Sequence, residues 1–286
     1  MIAPDDVLAV VVSYNGRGCI RHSVGALLTE LSSVLVVDNG SGDETLQALD
    51  DVEQLEGVRV LRLPTNLGIG HALNLGITEA RDRGFHWLLT MDQDSLVDRG
   101  FIAAYSAAVT RRPSSGCLSP EIVSESAGRR AAGDIDIAYA ITSGNLVRVD
   151  LFDLVGLYDE AFFIDCIDFD FSLRLRAAGQ EILRVRSATM RHQLGDVLAL
   201  PSAIRPFYAR HSPTRRYYMY RNYFFLAERH LRAFPAFVLK LGLLQLILAA
   251  LIARYDASPL DSYRAVLRGT RDYFARRLGP EPVTAR

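Results

Sequence analysis

Cysteine is scarce in this chain of 286 residues, and the three that occur, Cys19, Cys117 and Cys166, show no C-x-x-C spacing. An odd number of cysteines without that spacing favours neither a zinc knuckle nor a framework of disulfides. The N-terminal stretch MIAPDDVLAV lacks a basic segment and a small-residue cleavage site, so we predict no signal peptide. These absences favour a protein of the reducing cytoplasm.

The glycine patterns that bind dinucleotides are incomplete, and no internal repeat or low-complexity linker is visible. The stretch GIGHAL has Leu73 where a G-x-G-x-x-G motif needs its third glycine, and GSGDET has Thr45 there. Both departures argue against a dinucleotide site. In MDQDSLV, Leu96 stands where an EF-hand loop needs a third ligand, which excludes a calcium loop of that type.

Charge is unevenly distributed although the net formal charge is only −1. Residues 1–204 carry 17 Arg against 28 Asp and Glu, whereas residues 205–286 carry 15 Lys and Arg against 5 Asp and Glu. An acidic body suits cation binding, and a basic tail suits phosphates or an anionic membrane surface. Because the basic residues of the tail alternate with long aliphatic stretches, they favour lipid over nucleic acid as the partner.

The first 90 or so residues alternate between strand and helix patterns. Apolar runs at 7–13, 34–38, 58–63 and 86–91 predict strands, and segments of helical spacing lie between them. The second helix is predicted to be capped by Ser41 or Asp43. Fully apolar strands that alternate with helices predict a parallel sheet covered on both faces, with ligands at the carboxyl ends of the strands.

The second half of the chain is less regular. We predict a strand that enters a turn within 139–152, a helix over 168–179, and one or two strands in EILRVRSATMRH. The stretch at 235–254 is strongly apolar but is interrupted by Lys240 and Gln245, so a helix lying in the membrane interface is the first interpretation. A core helix is the alternative, and a true membrane span is the least favoured. We therefore divide the chain into a sheet domain at 1–204 and a helical region at 205–286.

Asp92 and Asp94 come directly after the buried fourth strand, HWLLTM. Side chains two apart in an extended strand point the same way, so the pair can hold one hard cation against a diphosphate. Asp38 ends the second strand, where its carboxylate can accept a hydrogen bond from the ring N–H of uracil or thymine. Alternatively, Asp38 and Asn39 only shape an Asx turn. The stretch PTNLGIGHALNLG can present free backbone N–H groups to phosphate at the start of a helix.

Together these motifs resemble a known family over roughly residues 5–230. In order and spacing, the chain is similar to the inverting family 2 glycosyltransferases of the GT-A fold, an α/β fold with a mostly parallel central sheet flanked by helices. The stretch FFIDCIDFDFSLRLR resembles the bacterial rhamnosyltransferases that use dTDP-L-rhamnose. The motifs that carry the resemblance are VVVSYN, VVDNGSGD, NLGIGHALNLGI, MDQDS, SGNLVRVDLFDLVGLYDEAFFIDCIDFDFSLRLRAAG and RHQLGD.

The resemblance implies roles for individual residues. Asp92, Asp94 and His192 would bind Mg²⁺ or Mn²⁺, and Asp168 would be the general base. The family usually has Glu-Asp before the helix, and here Ile167 replaces the glutamate. Asp165 and Asp170 flank the base as possible supports. The donor-binding residues that the resemblance implies are Ser13, Tyr14, Asn15, Asp38, Asn66, Gly68, Asn74, Asp92, Gly144 and Asn145.

Three carboxylates at 165, 168 and 170 lie close together beside an apolar stretch, so we expect the pKa of at least one to be raised toward the range of a base. Transfer with inversion needs one such base and one cation for the leaving diphosphate. The alternative is that Asp165 and Asp168 only cap the following helix.

We therefore expect an enzyme that transfers L-rhamnose from dTDP-L-rhamnose to a hydroxyl of a lipid-linked glycan or glycolipid. It would lie peripherally on the inner face of the cell membrane, with Arg215, Arg216 and Arg221 near acceptor phosphates. The alternatives are the same fold with a UDP-hexose or galactofuranosyl nucleotide as donor, or a non-catalytic module that binds nucleotide sugars. A sugar-nucleotide pyrophosphorylase is disfavoured, because SYNGRGCIRH is a poor match to its phosphate loop. The sequence leaves the oligomeric state open.

Overall fold

The computed structural model of the chain describes residues 1–16, 18–123, 133–192, 197–199 and 207–281. The chain forms two compact units: the first contains Met1–Asp159 and Phe171–Gln193, and the second contains Glu160–Asp170 and Leu194–Arg286. The boundary predicted at 204/205 lies outside the described residues. No pattern in the sequence indicates that residues 160–170 group with the C-terminal part of the chain.

Among the described residues, the first unit is built on a sheet of nine strands. Its strands are β1 (Val7–Ser13), β2 (Val34–Asp38), β3 (Val58–Arg62), β4 (Trp87–Asp92), β5 (Leu96–Val97), β6 (Cys117–Ile122), β7 (Ile135–Asp136), β8 (Asn145–Arg148) and β9 (Ile182–Arg191). Its helices are α1 (Cys19–Leu28), α2 (Asp43–Glu53), α3 (Ile69–Asp82), α4 (Phe101–Arg111) and α5 (Leu151–Val155), and α6 (Ile167–Ala177) has residues in both units.

The order of the strands is β3-β2-β1-β4-β8-β6-β9-β5, with β7 beside β9. The first four of these pair in parallel, as predicted. β8 is antiparallel to both β4 and β6, whereas β6 and β9 are parallel. The predicted fold class, an α/β fold with a central sheet flanked by helices, is therefore confirmed. The sheet is parallel from β3 to β4 and mixed beyond β4.

Helices cover both faces of the sheet around β1. Val7, Ala9 and Val11 belong to a buried cluster that includes apolar residues of α1, α2 and α4. Because side chains alternate along a strand, Val10 points to the opposite face, where it meets α3. A Cβ atom at Gly76 of α3 would lie 2.5 Å from the Val10 side chain, so only glycine allows this close packing.

Two local predictions need correction. The residue before α2 is Gly42, and neither Ser41 nor Asp43 caps the helix, because the Ser41 hydroxyl is bound to Asp38. The strand expected within 139–152 is limited to β8, and a turn precedes it at Gly144, whose φ is +77°. The prediction of one or two strands in EILRVRSATMRH is confirmed, because the segment forms one long strand, β9.

The second unit contains β10 (Val197–Ala199), β11 (Phe207–Ala209), α7 (Pro213–His230), α8 (Pro235–Tyr255) and α9 (Pro259–Phe274). Each of these helices has a proline in its first turn, where the missing N–H costs nothing. α7 packs closely on α9: a Cβ atom at Gly269 would lie 2.4 Å from the carbonyl oxygen of Tyr217. Glycine at this position therefore allows the two helix backbones to touch.

α8 is the one helix, among the residues described, that is long and apolar enough to cross a bilayer by length and composition. Only 22% of its most apolar window is buried within the protein. Its buried residues, such as Gln245, Leu248 and Ile252, lie on one side of the helix. Large apolar side chains on the other side are exposed, including Leu243 at 59% and Leu246 at 69%.

Candidate functional site

Three strand ends lie next to one another at one edge of the first unit's sheet. In the register of the parallel strands, Ser13 pairs with Asp38 and Val12 pairs with Asp92. Because β1, β2 and β4 run in the same direction, their carboxyl ends share this edge. The structure therefore brings the predicted base-binding aspartate and the predicted metal-binding pair to the same edge.

Asp38 is 1% exposed, and both of its carboxylate oxygens accept hydrogen bonds from Ser41. The Ser41 hydroxyl donates to Oδ1 at 2.5 Å and itself accepts from the Asn15 N–H at 2.9 Å. This is the turn that the sequence offered as the alternative to base binding. Each carboxylate oxygen can accept a further hydrogen bond. The turn therefore holds Asp38 in place and leaves it able to accept from a nucleobase.

Gln93, the residue between the two metal-binding candidates, ties the loop after β1 to the end of β4. Its Oε1 accepts from the Ser13 hydroxyl and the Tyr14 N–H, both at 3.0 Å, and its Nε2 donates to the Tyr14 carbonyl at 3.1 Å. A Cβ atom at Gly16 would lie 2.1 Å from this amide group. The amide therefore fixes the spacing between the predicted base loop and the predicted metal loop.

The loop that enters α3 is held by two asparagine side chains. The Asn39 Oδ1 accepts from the Leu67 N–H, and the Asn66 Oδ1 accepts from the Gly68 N–H, both at 2.9 Å. Gly68 has a φ of +92°, a conformation that favours glycine. The helix begins directly afterwards, so the backbone N–H groups of its first turn lack intrahelical partners, as expected for a phosphate-binding helix start.

Three of the predicted donor-binding residues are bound within the fold instead. Asn74 is 7% exposed and exchanges two hydrogen bonds with the backbone of Tyr158, at 2.9 and 3.0 Å. The Gly144 N–H donates to the Thr90 carbonyl, and Asn145 is 3% exposed within β8. These contacts are structural: Asn74 ties α3 to the backbone of Tyr158, and Gly144 forms the turn before β8.

Asp92, Asp94 and His192 form a cluster whose possible ligand atoms all lie within 4.8 Å of one another. The Asp94 Oδ1 is buried and has no hydrogen-bond partner among the described residues. The His192 Nδ1 lies 3.7 Å from the same Oδ1. Two carboxylates suit Mg²⁺ or Mn²⁺, and a buried carboxylate oxygen without a donor is stabilised when a cation binds. The residues present therefore fit a divalent cation.

Two buried serines orient this cluster. The Ser95 hydroxyl lies 2.8 Å from the His192 Nδ1 and 2.7 Å from the Ser143 hydroxyl, which also accepts from the Asp92 N–H at 3.1 Å. Both serines are fully buried. A hydrogen bond at Nδ1 fixes the ring and leaves Nε2 of the imidazole as the nitrogen available to a metal. Supporting contacts of this kind are typical of metal sites.

In the second unit, the segment before α6 is conformationally strained. Phe163, Asp165 and Cys166 have φ values of 66°, 63° and 65°, in the left-handed region. For a residue other than glycine, the left-handed conformation raises the free energy of the folded chain by roughly 1–2 kcal/mol. Strain of this kind persists where the surrounding contacts determine the backbone, and it occurs often at functional sites. Asp168 follows directly, as the second residue of α6.

The three predicted carboxylates have different surroundings. Asp168 is half-buried, and its Oδ1 accepts from the Phe169 N–H at 2.9 Å. Asp165 is bound by the Arg215 guanidinium at 3.1 Å, and its buried Oδ2 has no hydrogen-bond partner among the described residues. Burial raises the pKa of Asp165, although the charge of Arg215 opposes this shift. The expectation that one of the three has a raised pKa is confirmed at Asp165.

Asp170 is fully buried beside the guanidinium of Arg229 and the imidazole of His230. Its Oδ1 lies 2.7 Å from the Arg229 Nη1 and 2.9 Å from the His230 Nε2. Burying a carboxylate without such partners would be very costly. Asp170 therefore anchors the first turn of α6 to the end of α7, and we assign it no contact with the acceptor.

Two of the three arginines expected near acceptor phosphates are buried. Arg216 is 0% exposed and forms an ion pair with Asp256 at 2.8 Å, and Arg221 is 0% exposed and donates to backbone carbonyls. Arg215 differs, because 48% of its side chain is exposed. The structure therefore leaves only Arg215 as a candidate for phosphate contact. The buried pair Arg216–Asp256 instead joins α7 to the residue after α8.

Comparison with known proteins identifies the family. The model of Glycosyl transferase family 2 matches residues 8–131. The dTDP-rhamnosyl transferase RfbF of Shigella flexneri is 28% identical over 249 residues, which cover 79% of this chain and 81% of that protein. The N-acetylglucosaminyl-diphospho-decaprenol L-rhamnosyltransferase of Mycobacterium tuberculosis is 30% identical over 273 residues, covering 79% of this chain and 85% of that protein. The chain belongs to glycosyltransferase family 2.

Solved structures show that this glycosyltransferase has a GT-A fold, as predicted. The structure of S. aureus TarS 1-349 in complex with UDP-GlcNAc matches with a TM-score of 0.63 at 17% identity, over 95% of this chain and 81% of that one. The structure of GalNAc-T7 with UDP, GalNAc and Mn²⁺ matches with a TM-score of 0.57 at 18% identity, over 65% of this chain. The glycosyltransferase spans 43% of the GalNAc-T7 chain.

Sequence reasoning missed several residues that hold the candidate site residues of each unit in place. Gln93, Ser95 and Ser143 lie inside motifs that were recognised, MDQDS and SGN, but were not given a role. Their position between or beside candidate ligands was the available signal. Asn222, which contacts the segment before Asp168, follows Arg221 in a run of tyrosines and arginines. No spacing rule marks an asparagine there as functional.

Proposed function

We propose that this glycosyltransferase transfers L-rhamnose from dTDP-L-rhamnose, with inversion, to a hydroxyl of a lipid-linked saccharide or glycolipid. The observation that carries the proposal is the cluster of Asp92, Asp94 and His192 at the strand edge that also holds Asp38. The sugar is supported by two relatives that are named as rhamnosyl transferases. The acceptor is supported by the mycobacterial relative, whose name specifies a lipid-linked N-acetylglucosamine.

The donor nucleotide is bound at the ends of β1, β2 and β4. Asp38 accepts the ring N–H of the base, and the loop of Ser13, Tyr14 and Asn15 lies beside it. Asn66 and Gly68 shape the start of α3, whose free N–H groups face the diphosphate. Asp92, Asp94 and His192 hold a divalent cation. A cation held there would supply positive charge for the leaving diphosphate.

Asp168 is the general base in this proposal. Its carboxylate takes the proton of the acceptor hydroxyl as the acceptor oxygen forms a bond to C1 of the rhamnose. The bond between C1 and the phosphate oxygen breaks at the same time, and its electron pair leaves with dTDP. Attack from the face opposite the leaving group inverts the configuration at C1. Asp165 lies three residues before Asp168 in the sequence. It is bound to Arg215 and supports the segment before α6.

The acceptor is presented at a membrane surface. α8 exposes Leu239, Leu243, Leu246 and Ile247, which lie on one side of the helix by their spacing. α9 exposes a second stripe in which leucine, arginine and phenylalanine alternate, at positions 260, 264, 267, 271 and 274. Apolar side chains beside cations favour an anionic lipid surface on the cytoplasmic side of the membrane. The low burial of α8 favours this interface helix over a core helix.

A donor panel tests the proposed reaction. Purified protein is incubated with Mn²⁺ or Mg²⁺ and with dTDP-L-rhamnose, a UDP-hexose or a UDP-galactofuranose, and the thermal shift and the slow release of free sugar are measured. We expect the rhamnosyl donor to give the largest stabilisation, because a ligand at 100 times its Kd adds about 2.7 kcal/mol. A larger shift with a UDP-sugar would reassign the donor. Binding without hydrolysis or transfer to any lipid-linked acceptor would indicate a non-catalytic module.

Membrane contact is tested by co-sedimentation with vesicles of phosphatidylglycerol and phosphatidylcholine. We expect the double variant Leu243→Asp/Leu246→Asp to bind at least about tenfold more weakly than wild type, because each lost leucine contact is worth roughly 1.5–3 kcal/mol. The matched control is Leu55→Asp/Leu154→Asp, which replaces two exposed leucines of the first unit, at 41% and 57% exposure. Equal vesicle binding by the two double variants would refute the contact. Truncation is unsuitable, since it removes Asp256, the buried partner of Arg216.

A further inference from the structure

Two neighbouring side chains of α7 donate hydrogen bonds to the backbone of the segment that precedes Asp168. The Asn222 Nδ2 lies 2.8, 2.6 and 3.1 Å from the carbonyl oxygens of Phe162, Ile164 and Asp165. The Arg221 Nη2 lies 3.2 Å from the carbonyl oxygens of Ala161 and Phe162. Most carbonyls between 161 and 165 are therefore bound by side chains from a helix about 60 residues further along the chain.

Arg221 and Asn222 are themselves fixed. Both are 0% exposed, and the Arg221 Nε donates to the Asn222 Oδ1 at 3.0 Å. The Arg221 Nη1 donates to the Gly279 carbonyl at 2.6 Å, and its guanidinium carbon lies 5.0 Å from the centre of the Tyr218 ring. Because each polar atom has a defined partner, neither side chain can change rotamer without losing several bonds. The pair is thus a rigid support.

The supported segment is the strained one. Phe163, Asp165 and Cys166 hold left-handed backbone conformations, and the Phe163 ring stacks on Tyr218 with centroids 5.0 Å apart. These conformations are unfavourable for residues with a side chain, so outside contacts must hold them. Without the carbonyl bonds, the segment would relax to ordinary conformations. Asp168 lies only two residues after Cys166, so its position would change with that of the segment.

We propose that Arg221 and Asn222 are positioning residues for Asp168, which set the direction of its carboxylate by holding the carbonyl groups of residues 161–165. The role differs from phosphate binding, which the sequence suggested for Arg221. It rests on the proposed function in one respect, since it takes Asp168 to be the base. The residues proposed to bind the donor all belong to the first unit, and this positioning role does not involve them.

The test compares Asn222→Ala with Tyr220→Phe. Tyr220 is on the same helix and is also buried, but its hydroxyl donates to the Gln245 carbonyl and not to the segment. We expect Asn222→Ala to lower kcat about 100-fold, because a shift of about 1 Å in a catalytic group can have an effect of that size. The Kd of the donor, measured in the presence of Mn²⁺, should change by less than about twofold. Tyr220→Phe should leave both values near wild type. A parallel loss of donor affinity, or equal kcat in the two variants, would overturn the proposal.

Hydrogen–deuterium exchange reports on the segment without reference to catalysis. Peptides covering 160–170 should exchange at least about tenfold faster in Asn222→Ala than in wild type or Tyr220→Phe. Unchanged exchange means that the pair does not hold the segment, and the proposal is lost. Should Asn222→Ala not fold, Arg221→Lys serves instead, because lysine keeps the charge but cannot bridge two carbonyls.

A double variant separates this proposal from the identity of the base. If Asn222 acts through Asp168, adding Asn222→Ala to Asp168→Asn should lower kcat by less than about twofold further. A second 100-fold loss would show that Asn222 acts in another way. If Asp168→Asn alone keeps wild-type turnover, the base is misassigned, and the exchange measurement still decides whether Arg221 and Asn222 hold the segment.

Discussion

Replacing Asp168 with asparagine is expected to lower the rate of transfer by about 10²- to 10⁴-fold, the usual contribution of a general base. Asparagine keeps the size of the side chain and can still accept from the Phe169 N–H at the start of α6. It cannot take a proton from the acceptor hydroxyl. Because the residues proposed to bind the donor lie in the first unit, the affinity for the donor should change by less than about twofold.

Single-turnover transfer with preloaded donor measures the chemical step of this variant directly. The matched control is Asp165→Asn, which alters a carboxylate of the same segment that is bound to Arg215. A larger loss in Asp165→Asn than in Asp168→Asn would exchange the roles of the two aspartates. Near-normal turnover in both variants would remove the proposed base from this segment.

Replacing Asp94 with asparagine is expected to weaken Mn²⁺ binding by about 100-fold or more, since even residues that only orient metal ligands cost 10- to 100-fold when changed. Donor binding that depends on Mn²⁺ should be lost with it. Titration calorimetry with Mn²⁺, and with the donor in the presence of Mn²⁺, measures both effects. An unchanged Mn²⁺ affinity would contradict the assignment of the cluster.

The same variant carries a prediction for the protein without metal. The Asp94 Oδ1 is buried without a hydrogen-bond partner among the described residues, close to a second carboxylate in the cluster. Asparagine relieves the crowding of two carboxylates in the cluster, so the metal-free variant should melt at the wild-type temperature or about 2–4 °C above it. Asp98→Asn is the control, because Asp98 is paired with Thr189 outside the cluster. It should keep both the Mn²⁺ affinity and the metal-induced stabilisation of the wild type.

The sheet edge could be predicted from the sequence because its signals are local. Each strand is a short apolar run, and Asp38 and Asp92 stand at its end, where parallel strands leave their carboxyl termini. His192 was placed by motif order alone, and the structure puts it beside Asp94 across nearly 100 residues of sequence. The antiparallel strands beyond β4 escaped prediction, since β5, β7 and β8 are short and their pairing depends on distant partners.

The burial of Arg216 and Arg221 could not be predicted for a related reason. Periodicity treats arginine as a surface residue, and only a partner elsewhere in the chain can make its burial favourable. That partner is Asp256 for Arg216, 40 residues later, and the carbonyl groups at 161–162 and 279 for Arg221. Composition correctly marked the C-terminal region as basic. It did not distinguish cations that face solvent from those that hold the fold together.

The division of the chain has a consequence for recombining enzymes of this kind. The second compact unit is discontinuous, because Glu160–Asp170 belongs with Leu194–Arg286. A chimaera made by a single crossover near residue 200 would join this segment to foreign helices that lack matching donors for its carbonyl groups. Glu160–Asp170 and Leu194–Arg286 therefore need to be exchanged together. We expect a hybrid that exchanges both stretches to keep the proposed base correctly positioned.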